Sequence, residues 1–485
     1  RFVELRRRIR SFSGIEASRE SEGFHGALRT YKRQGLGWLE FLREFGFGGC
    51  LADDMGLGKT IQVLALLEKL RAEGKLERPA LVVAPRSVVH NWIDEARRFA
   101  PSLRVLDYGG LDRRSRRGTL LDHDLVVTSY GVLRRDAANL RDVRFDTVIL
   151  DESQAVKNED TQTSKAVRLL SADHRLALSG TPIENRLSEL WSLFAFLNPG
   201  MLGRSAVFQE LAESGEVGFD RKLLSRAVRP FLLRRTKAQV ADDLPERIEQ
   251  EIVCELDKEQ QRLYDELREH YRVELSRRVD ERGLGRSKIQ VLEALLRLRQ
   301  AALHPGLIDP ERRAGPSAKL DALVPMLEEL AAEGHKALVF SQFTSYLALV
   351  RPRLEELGIV HEYLDGQTTD RRARVDRFQR DEACPVFLIS LKAGGSGLNL
   401  TAASYVYLLD PWWNPAVEAQ AIDRAHRIGQ DRSVIAYRFV AQGTIEERIL
   451  ELQEKKRDLA DAILSEDRSV LSRLTAEDLE RLFQP

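Results

Sequence analysis

Cysteine is scarce in this chain: three residues in 485, Cys50, Cys254 and Cys384, all far apart. They give neither a disulfide framework nor a zinc-binding spacing, which fits a reducing cytoplasm. The nine histidines are scattered without ligand spacing, so no histidine metal centre is expected. An excess of one charge is missing too. Lys and Arg number 75 and Asp and Glu number 75, so any nucleic-acid surface must be local. No apolar run approaches the roughly 18 residues of a membrane span, and no membrane partner is expected. No secretion signal, low-complexity linker or internal repeat is visible. The chain starts at Arg1 without Met, which leaves room for further domains ahead of it.

What is present suits a large soluble protein. Hydrophobic residues make up 43% and charged residues 31%. The length suggests about three domains. Residues 1–23 are polar and arginine-rich, with Phe2, Leu5 and Ile9 at helical spacing, and read as a solvated helix. From 24 to 200, apolar runs such as Ala80–Ala84, Leu125–Thr128 and Thr147–Leu150 alternate with helical segments. Short strands that are apolar on both sides, set between amphipathic helices, argue for a parallel sheet covered on both faces. From 201 to 315 the pattern turns helical, with long charged periods over Lys258–Glu281 and Lys288–Ala302 and one isolated strand at Glu251–Leu256. Alternation resumes at Ala337–Ser341, His361–Leu364, Val386–Ser390, Tyr405–Leu409 and Val434–Phe439, a second α/β lobe. From Thr444 an amphipathic helix follows, with Ile445, Ile449, Leu452 and Leu459 on or near one side.

Three stretches carry chemistry. Cys50–Thr60 reads as a strand, a glycine-bearing loop and a helix that begins near Thr60. Such a loop presents unpaired N–H groups and the positive helix end to an anion. Gly56 and Gly58 let the backbone bend round phosphate, Lys59 adds a point charge, and the Thr60 hydroxyl suits Mg²⁺. The strict pattern has a glycine at Asp53, so alone the motif also suits a glycine turn beside an exposed lysine. Thr147–Gln154 is a buried strand that delivers Asp151 and Glu152 at its C-terminal end, the edge where open α/β sheets bind ligands. Asp151 is placed to hold Mg²⁺ and Glu152 to orient or deprotonate the attacking water. Leu176–Pro182 ends in hydroxyls at the same edge, where Ser179 and Thr181 would sense the γ-phosphate. In Gln420–Gln430, read as helical, Arg424 and Arg427 share a face and suit charge building on a transferring phosphoryl group.

Taken in order, from about Leu28 to about Ile449, these segments resemble a superfamily 2 helicase-type motor, closest to the SWI/SNF-related double-stranded DNA translocases. Leu28–Tyr31 with Gly35, Trp38 and Leu39 resembles the adenine-side motif. Leu81–Pro85 with Asn91 and Trp92 resembles the segment that meets one DNA strand. Phe231–Lys237 resembles the joint between the lobes, and Thr444–Glu447 the start of a helix that braces them. The strongest marks are Asp410–Pro415 and Arg424–Gln430. The family usually has glutamine after its adenine-side tyrosine; here Lys32 stands there, and lysine only donates, which loosens base discrimination. For Trp412 and Trp413, core packing is favoured over stacking on bases.

The resemblance implies a fold of two RecA-like parallel-sheet α/β lobes with helical insertions. The expected divisions are 1–23, 24–235, 200–325, 326–443 and 444–485. It implies ATP and Mg²⁺, with Lys59, Asp151, Glu152, Arg424 and Arg427 catalytic and Thr60 and Asp151 at the metal. The nucleotide would also meet Tyr31, Lys32, Asp54, Met55, Gly56, Gly58, Gly397 and Gln420. Duplex DNA would be gripped through phosphates by Arg86, Thr128, Ser129, Asn185, Ser341, Gln342, Gly366, Lys392 and Gly394. The implied activity is travel along duplex DNA without strand separation, by a monomeric core that remodels a DNA-bound protein in a prokaryotic nucleoid, or in a nucleus if eukaryotic. A strand-separating DNA or RNA helicase would use the same lobes, and a scaffold with a silent ATPase would keep the fold. The region 201–315 and Asp410–Pro415 favour the first of these, and the joint retention of the six phosphate-site residues speaks against the last.

Overall fold

A computed structural model describes residues 15–110, 112–180, 187–203, 224, 227–240, 244–282, 288–394, 398–451 and 453. The chain divides into two compact units, Arg1–Asp242 and Asp243–Pro485.

The first unit runs α1 (Thr30–Phe45), β1 (Gly49–Leu51), α2 (Lys59–Ala72), β2 (Ala80–Ala84), α3 (Arg86–Phe99), β3 (Val105–Asp107), β4 (Leu125–Ser129), α4 (Tyr130–Leu140), β5 (Arg144–Leu150), α5 (Gln162–Arg168), β6 (Ser171–Leu178), α6 (Leu187–Leu197), β7 (Leu232–Leu233) and α7 (Lys237–Val240). Its sheet has the order β3-β4-β2-β5-β6-β1-β7, with parallel pairing throughout. Both faces are covered. Val82, Leu125, Val127, Ile149 and Leu178 belong to one core cluster, while Leu81, Val83, Val126, Val148 and Ala177 belong to the other. That is why β2 and β4 are continuous apolar runs rather than alternating ones.

The second unit runs β8 (Arg247–Cys254), α8 (Lys258–Arg282), α9 (Lys288–Leu303), α10 (Ala318–Ala332), β9 (Ala337–Ser341), α11 (Thr344–Glu356), β10 (His361–Leu364), α12 (Arg371–Arg380), β11 (Val386–Ser390), α13 (Leu391–Gly394), β12 (Tyr405–Leu408), α14 (Pro415–Ile422) and β13 (Val434–Ala441). Its sheet order is β10-β11-β9-β12-β13-β8, again all parallel. Val339, Leu388 and Tyr407 pack on one face, and Leu338, Phe387 and Val406 on the other. Tyr264, Val291, Leu295 and Leu298 of the helical insertion close over Ile445 and Ile449.

Several expectations need correction. The strand near Glu251 is not isolated: β8 pairs along its whole length with β13, Arg247 against Val434 through Cys254 against Ala441. It is the sheet's outer strand, mostly open to water, so its charged residues hid it. The short strands β3 and β7 were not foreseen, being 3 and 2 residues long, too few for any period. The helix expected over Gln420–Gln430 ends at Ile422, so Arg424 and Arg427 lie in a run of turns. The helix expected at Phe2, Leu5 and Ile9 lies outside the described residues, as does the tail beyond 453; residues 445–451 are helical as expected. Among the described residues, no helix is long and apolar enough to cross a membrane.

Candidate active site

The glycine loop leaves the buried end of β1 and closes on α2. Gly56 (φ 88°) and Gly58 (φ 76°) both adopt left-handed backbone, and Gly58 caps the helix that Lys59 and Thr60 begin. Tyr31 pins the loop from behind, its hydroxyl donating to the Leu57 carbonyl at 2.7 Å. The Lys59 ammonium donates to the Asp53 carbonyl at 2.6 Å. Lys32 is buried, and its Nζ stands beside Gly58, where an added Cβ would lie 3.0 Å away. Asp54 is held by its backbone: its N–H donates to Arg235 and its carboxylate accepts the Lys237 N–H, both at 3.0 Å. Asp53, the departure from the strict glycine pattern, is fully buried in an ion pair with Arg235.

β5 delivers Asp151 beside this loop. Its Oδ2 accepts the Trp92 indole N–H at 2.8 Å, its Oδ1 accepts the Glu152 N–H at 2.9 Å, and its carbonyl accepts the Tyr130 hydroxyl at 2.8 Å. The carboxyl is pushed up to about 7, first by burial and then by the Glu152 charge, while Trp92 and the positive Lys59 pull the other way. The Lys59 charge therefore reaches Asp151. Burial next to those two carboxylates also raises the Tyr130 hydroxyl well above its ordinary range. Glu152 has φ 48°, the only positive φ outside glycine among the described residues. Such backbone costs on the order of 1–3 kcal/mol and gathers at functional sites. Gln154 donates to Glu152 Oε2 at 2.7 Å and accepts the Ser179 hydroxyl at 3.3 Å, so the end of β6 reaches the glutamate through one side chain. Met55 packs beside Gly180 at the same edge.

The nucleic-acid candidates divide by exposure. Arg86, at the first turn of α3, is exposed, as are Gly366 and Lys392. Thr128 is fully buried, and its hydroxyl donates to the Tyr108 carbonyl at 2.8 Å. Ser341 is fully buried too, its hydroxyl donating to Asp410 at 2.5 Å. Ser129 caps α4 by accepting the Val132 N–H at 3.3 Å. Gln342 donates its N–H to Asp410 at 3.2 Å and accepts Arg299 at 3.0 Å. Gly394 ends α13. Thr181, Asn185 and Gly397 lie outside the described residues.

In the second unit, Gln420 is half-buried on α14, and the arginine turn follows. Arg424 is 1% exposed and its carbonyl accepts the Leu400 N–H at 3.0 Å. Arg427 is half-buried and donates to the Leu398 carbonyl at 3.3 Å. Gln430 brackets the turn: its amide nitrogen lies 3.1, 2.8 and 3.1 Å from the carbonyls of Thr401, Ala403 and Ala425, and its oxygen accepts the N–H groups of Asp431 and Arg432. The arginines are thus positioned by turn geometry rather than by a helix face. The Arg299 guanidinium stands 5.8 and 5.9 Å from the rings of Trp412 and Trp413, both half-buried, with Trp413 packed against the core of the helical insertion.

Sequence reasoning missed Arg235 and Gln62 around Asp53, Trp92 on Asp151 and Gln154 on Glu152. The contacts of Arg235 and Trp92 span 182 and 59 residues, so no local pattern announces them.

A family model described as the SNF2-related domain matches residues 31–307, and one described as the helicase conserved C-terminal domain matches 318–429. The chain is 42% identical over 501 residues to a putative ATP-dependent helicase/translocase, YwqA, of Bacillus subtilis, covering 99% of this chain and 54% of that protein. It is 37% identical to an uncharacterized ATP-dependent helicase of Mycoplasma pneumoniae, covering 94% and 44%. The chain spans about half the length of the curated relatives it matches. A solved structure of the Sulfolobus solfataricus SWI2/SNF2 ATPase core in complex with dsDNA is 35% identical, covers 97% of this chain and 99% of that one, and has a TM-score of 0.48.

Proposed function

The chain belongs to the SNF2-related family, and on that premise we propose that it is a DNA-dependent ATPase that moves along duplex DNA without parting the strands and remodels proteins bound there. The observation that carries the reading is the carboxylate pair at the end of β5, where the Lys59 charge acts on Asp151, with Glu152 fixed in left-handed backbone and braced by Gln154. Residues at the loop fit a nucleoside triphosphate with Mg²⁺. The loop glycines open the backbone, the α2 N-terminus and Lys59 offer positive charge, and Thr60 and Asp151 supply the hard oxygen ligands that Mg²⁺ takes. Thr60 and Asp151 would hold the ion, which would supply positive charge against the outer phosphates.

The protein's own groups do the rest. Trp92 and the Glu152 N–H each hold one oxygen of the Asp151 carboxylate and so fix its orientation. Glu152 takes a proton from the attacking water at one carboxylate oxygen while Gln154 holds the other. Arg424 and Arg427 are assigned the charge that grows on the transferring phosphoryl group. Ser179, through Gln154, registers the change at the phosphates. Arg86, Lys392 and the open backbone at Gly366 are assigned to DNA phosphates, contacts that are blind to sequence and weaken with salt. The motor acts as a monomeric core, in the nucleoid of a prokaryote or the nucleus of a eukaryote.

Phosphate release tests the reading. Duplex DNA is expected to stimulate turnover more than single strands or RNA do. Glu152→Gln is expected to keep nucleotide binding and lose at least about a hundredfold in rate. Substantial DNA-stimulated hydrolysis in that variant would take Glu152 out of the base role.

A further inference from the structure

We propose that Arg235 is a positioning residue of the nucleotide site, so that the strand closing the first unit's sheet sets the affinity for ATP. The proposal rests on the glycine loop being that site and goes beyond it.

β7 lies on the free edge of β1, with Cys50 against Leu232 and Leu51 against Leu233. The pairing continues into the loop. The Ala52 N–H donates to the Leu233 carbonyl at 2.7 Å and the Asp54 N–H to the Arg235 carbonyl at 3.0 Å. The residues after β7 therefore run alongside the residues that precede Gly56.

The Arg235 side chain turns inward from this seam. Its Nε donates to Asp53 Oδ1 at 2.9 Å and its Nη2 to Asp53 Oδ2 at 2.5 Å, a two-point fork on a fully buried carboxylate. The same Nη2 donates to Gln62 Oε1 at 2.9 Å, and Nη1 donates to the Tyr31 carbonyl. The guanidinium lies 5.1 Å from the Tyr31 ring centroid. Gln62 in turn donates to Asp53 at 3.2 Å. One planar cation thus joins the base-side helix, the front of the phosphate loop and the first turn of the helix that carries Lys59 and Thr60. Packing is tight enough that α1 needs glycine there: a Cβ on Gly35 would lie 1.9 Å from Gln62 Oε1 and 2.9 Å from Arg235 Nη2.

Lysine has the charge but not the flat fork, so it cannot meet both Asp53 oxygens side by side while also reaching Gln62 and Tyr31. Without the guanidinium, the buried Asp53 charge stands uncompensated in the wall of a site meant for phosphates. A group that merely held the fold would register in stability. A positioning group registers in nucleotide affinity.

The test uses the whole chain, with ADP binding by titration, ATP turnover on duplex DNA and thermal unfolding. Arg235→Gln is expected to weaken ADP and raise KM for ATP at least tenfold, with kcat changed less than threefold. Arg235→Lys should recover little, while Asp53→Asn with Arg235→Gln should bring ADP affinity to within threefold of the parent by removing the charge. If Arg235→Gln fails to fold, Arg235→Lys is read in its place, with the same loss of ADP affinity expected. Parental ADP affinity in the variant that folds, or a loss matched by unfolding and not recovered in the double variant, overturns the proposal. A parent chain that binds no ADP overturns the nucleotide site itself, a different result.

Discussion

In the first unit Arg235 meets Asp53; in the second, Lys319 meets Glu446 at 2.5 Å with both side chains fully buried. Both pairs are withdrawn from water, yet they are built differently. Arg235 spreads a flat fork over Asp53, Gln62 and Tyr31, all beside a ligand loop. Lys319 is a point donor to the carbonyls of Leu409 and Phe439 at 2.7 and 3.1 Å, and Glu446 also accepts the Ala441 N–H at 2.9 Å. The lysine therefore ties the ends of β12 and β13 to the start of the helix that follows, deep inside the second unit. Burial pushes the Glu446 carboxyl up, against the pull of Lys319. A buried pair repays its desolvation only when the remaining hydrogen bonds are met. We assign the first pair to nucleotide binding, as proposed above, and the second to fold integrity.

The strongest way to break this contrast is Lys319→Met. Removing one partner leaves a buried charge, at a cost of about 3–5 kcal/mol. Thermal or denaturant unfolding should show that loss, while ADP affinity at a temperature where the chain stays folded should match the parent. Adding Glu446→Leu should recover most of it. A fall in ADP affinity would erase the distinction between the pairs.

His304 sharpens the contrast from another side, as a buried titratable group on which, among the described residues, a cation acts rather than an anion. Its Nδ1 accepts the Gly306 N–H at 2.8 Å. Burial first, and then the positive Arg353, lower the imidazole from 6.5 to about 4. Between those values the unfolded chain binds the extra proton, so stability is complete above about pH 6.5 and is lost as pH falls toward 4. The loss approaches about 3 kcal/mol. Unfolding of His304→Asn, which keeps an acceptor for Gly306, should show a flatter pH dependence; an unchanged slope contradicts the assignment.

Trp92→Phe keeps the packing and removes one donor from Asp151. Turnover should fall about tenfold, roughly 1.4 kcal/mol, with ADP affinity close to the parent. An unchanged rate would mean that Asp151 needs no such support. The smallest effect is expected at Lys32, whose ammonium stands beside Gly58. Lys32→Gln should sharpen the preference for ATP over GTP by less than tenfold, under about 1.4 kcal/mol, read from relative hydrolysis rates. The same ratio in both proteins contradicts the role given to lysine there.

The two-sheet architecture was readable because each central strand is buried on both sides, as β2, β4, β9 and β11 show. The glycine loop and the β5 carboxylates were readable because their chemistry is local in sequence. Strand β8 was half-seen, since its water-facing charges mask its pairing. Thr128 and Ser341 close continuous apolar strands and are buried as those runs implied; their hydroxyls turn to the Tyr108 carbonyl and to Asp410, partners 20 and 69 residues away that no local pattern announces. The arginine turn was read as helix because its residues suit one, while Gln430 imposes the turn through contacts up to 29 residues away. Asp53 looked like a flaw in a motif until its partner, 182 residues on, supplied the reason.

The central claim is that ATP hydrolysis drives movement along an intact double helix. Displacement of a triplex-forming strand from duplex DNA measures it directly. Release of the third strand with ATP, none without it and none in Glu152→Gln is the predicted result. Release independent of ATP, or ATP turnover on duplex DNA with the triplex left in place, would contradict it.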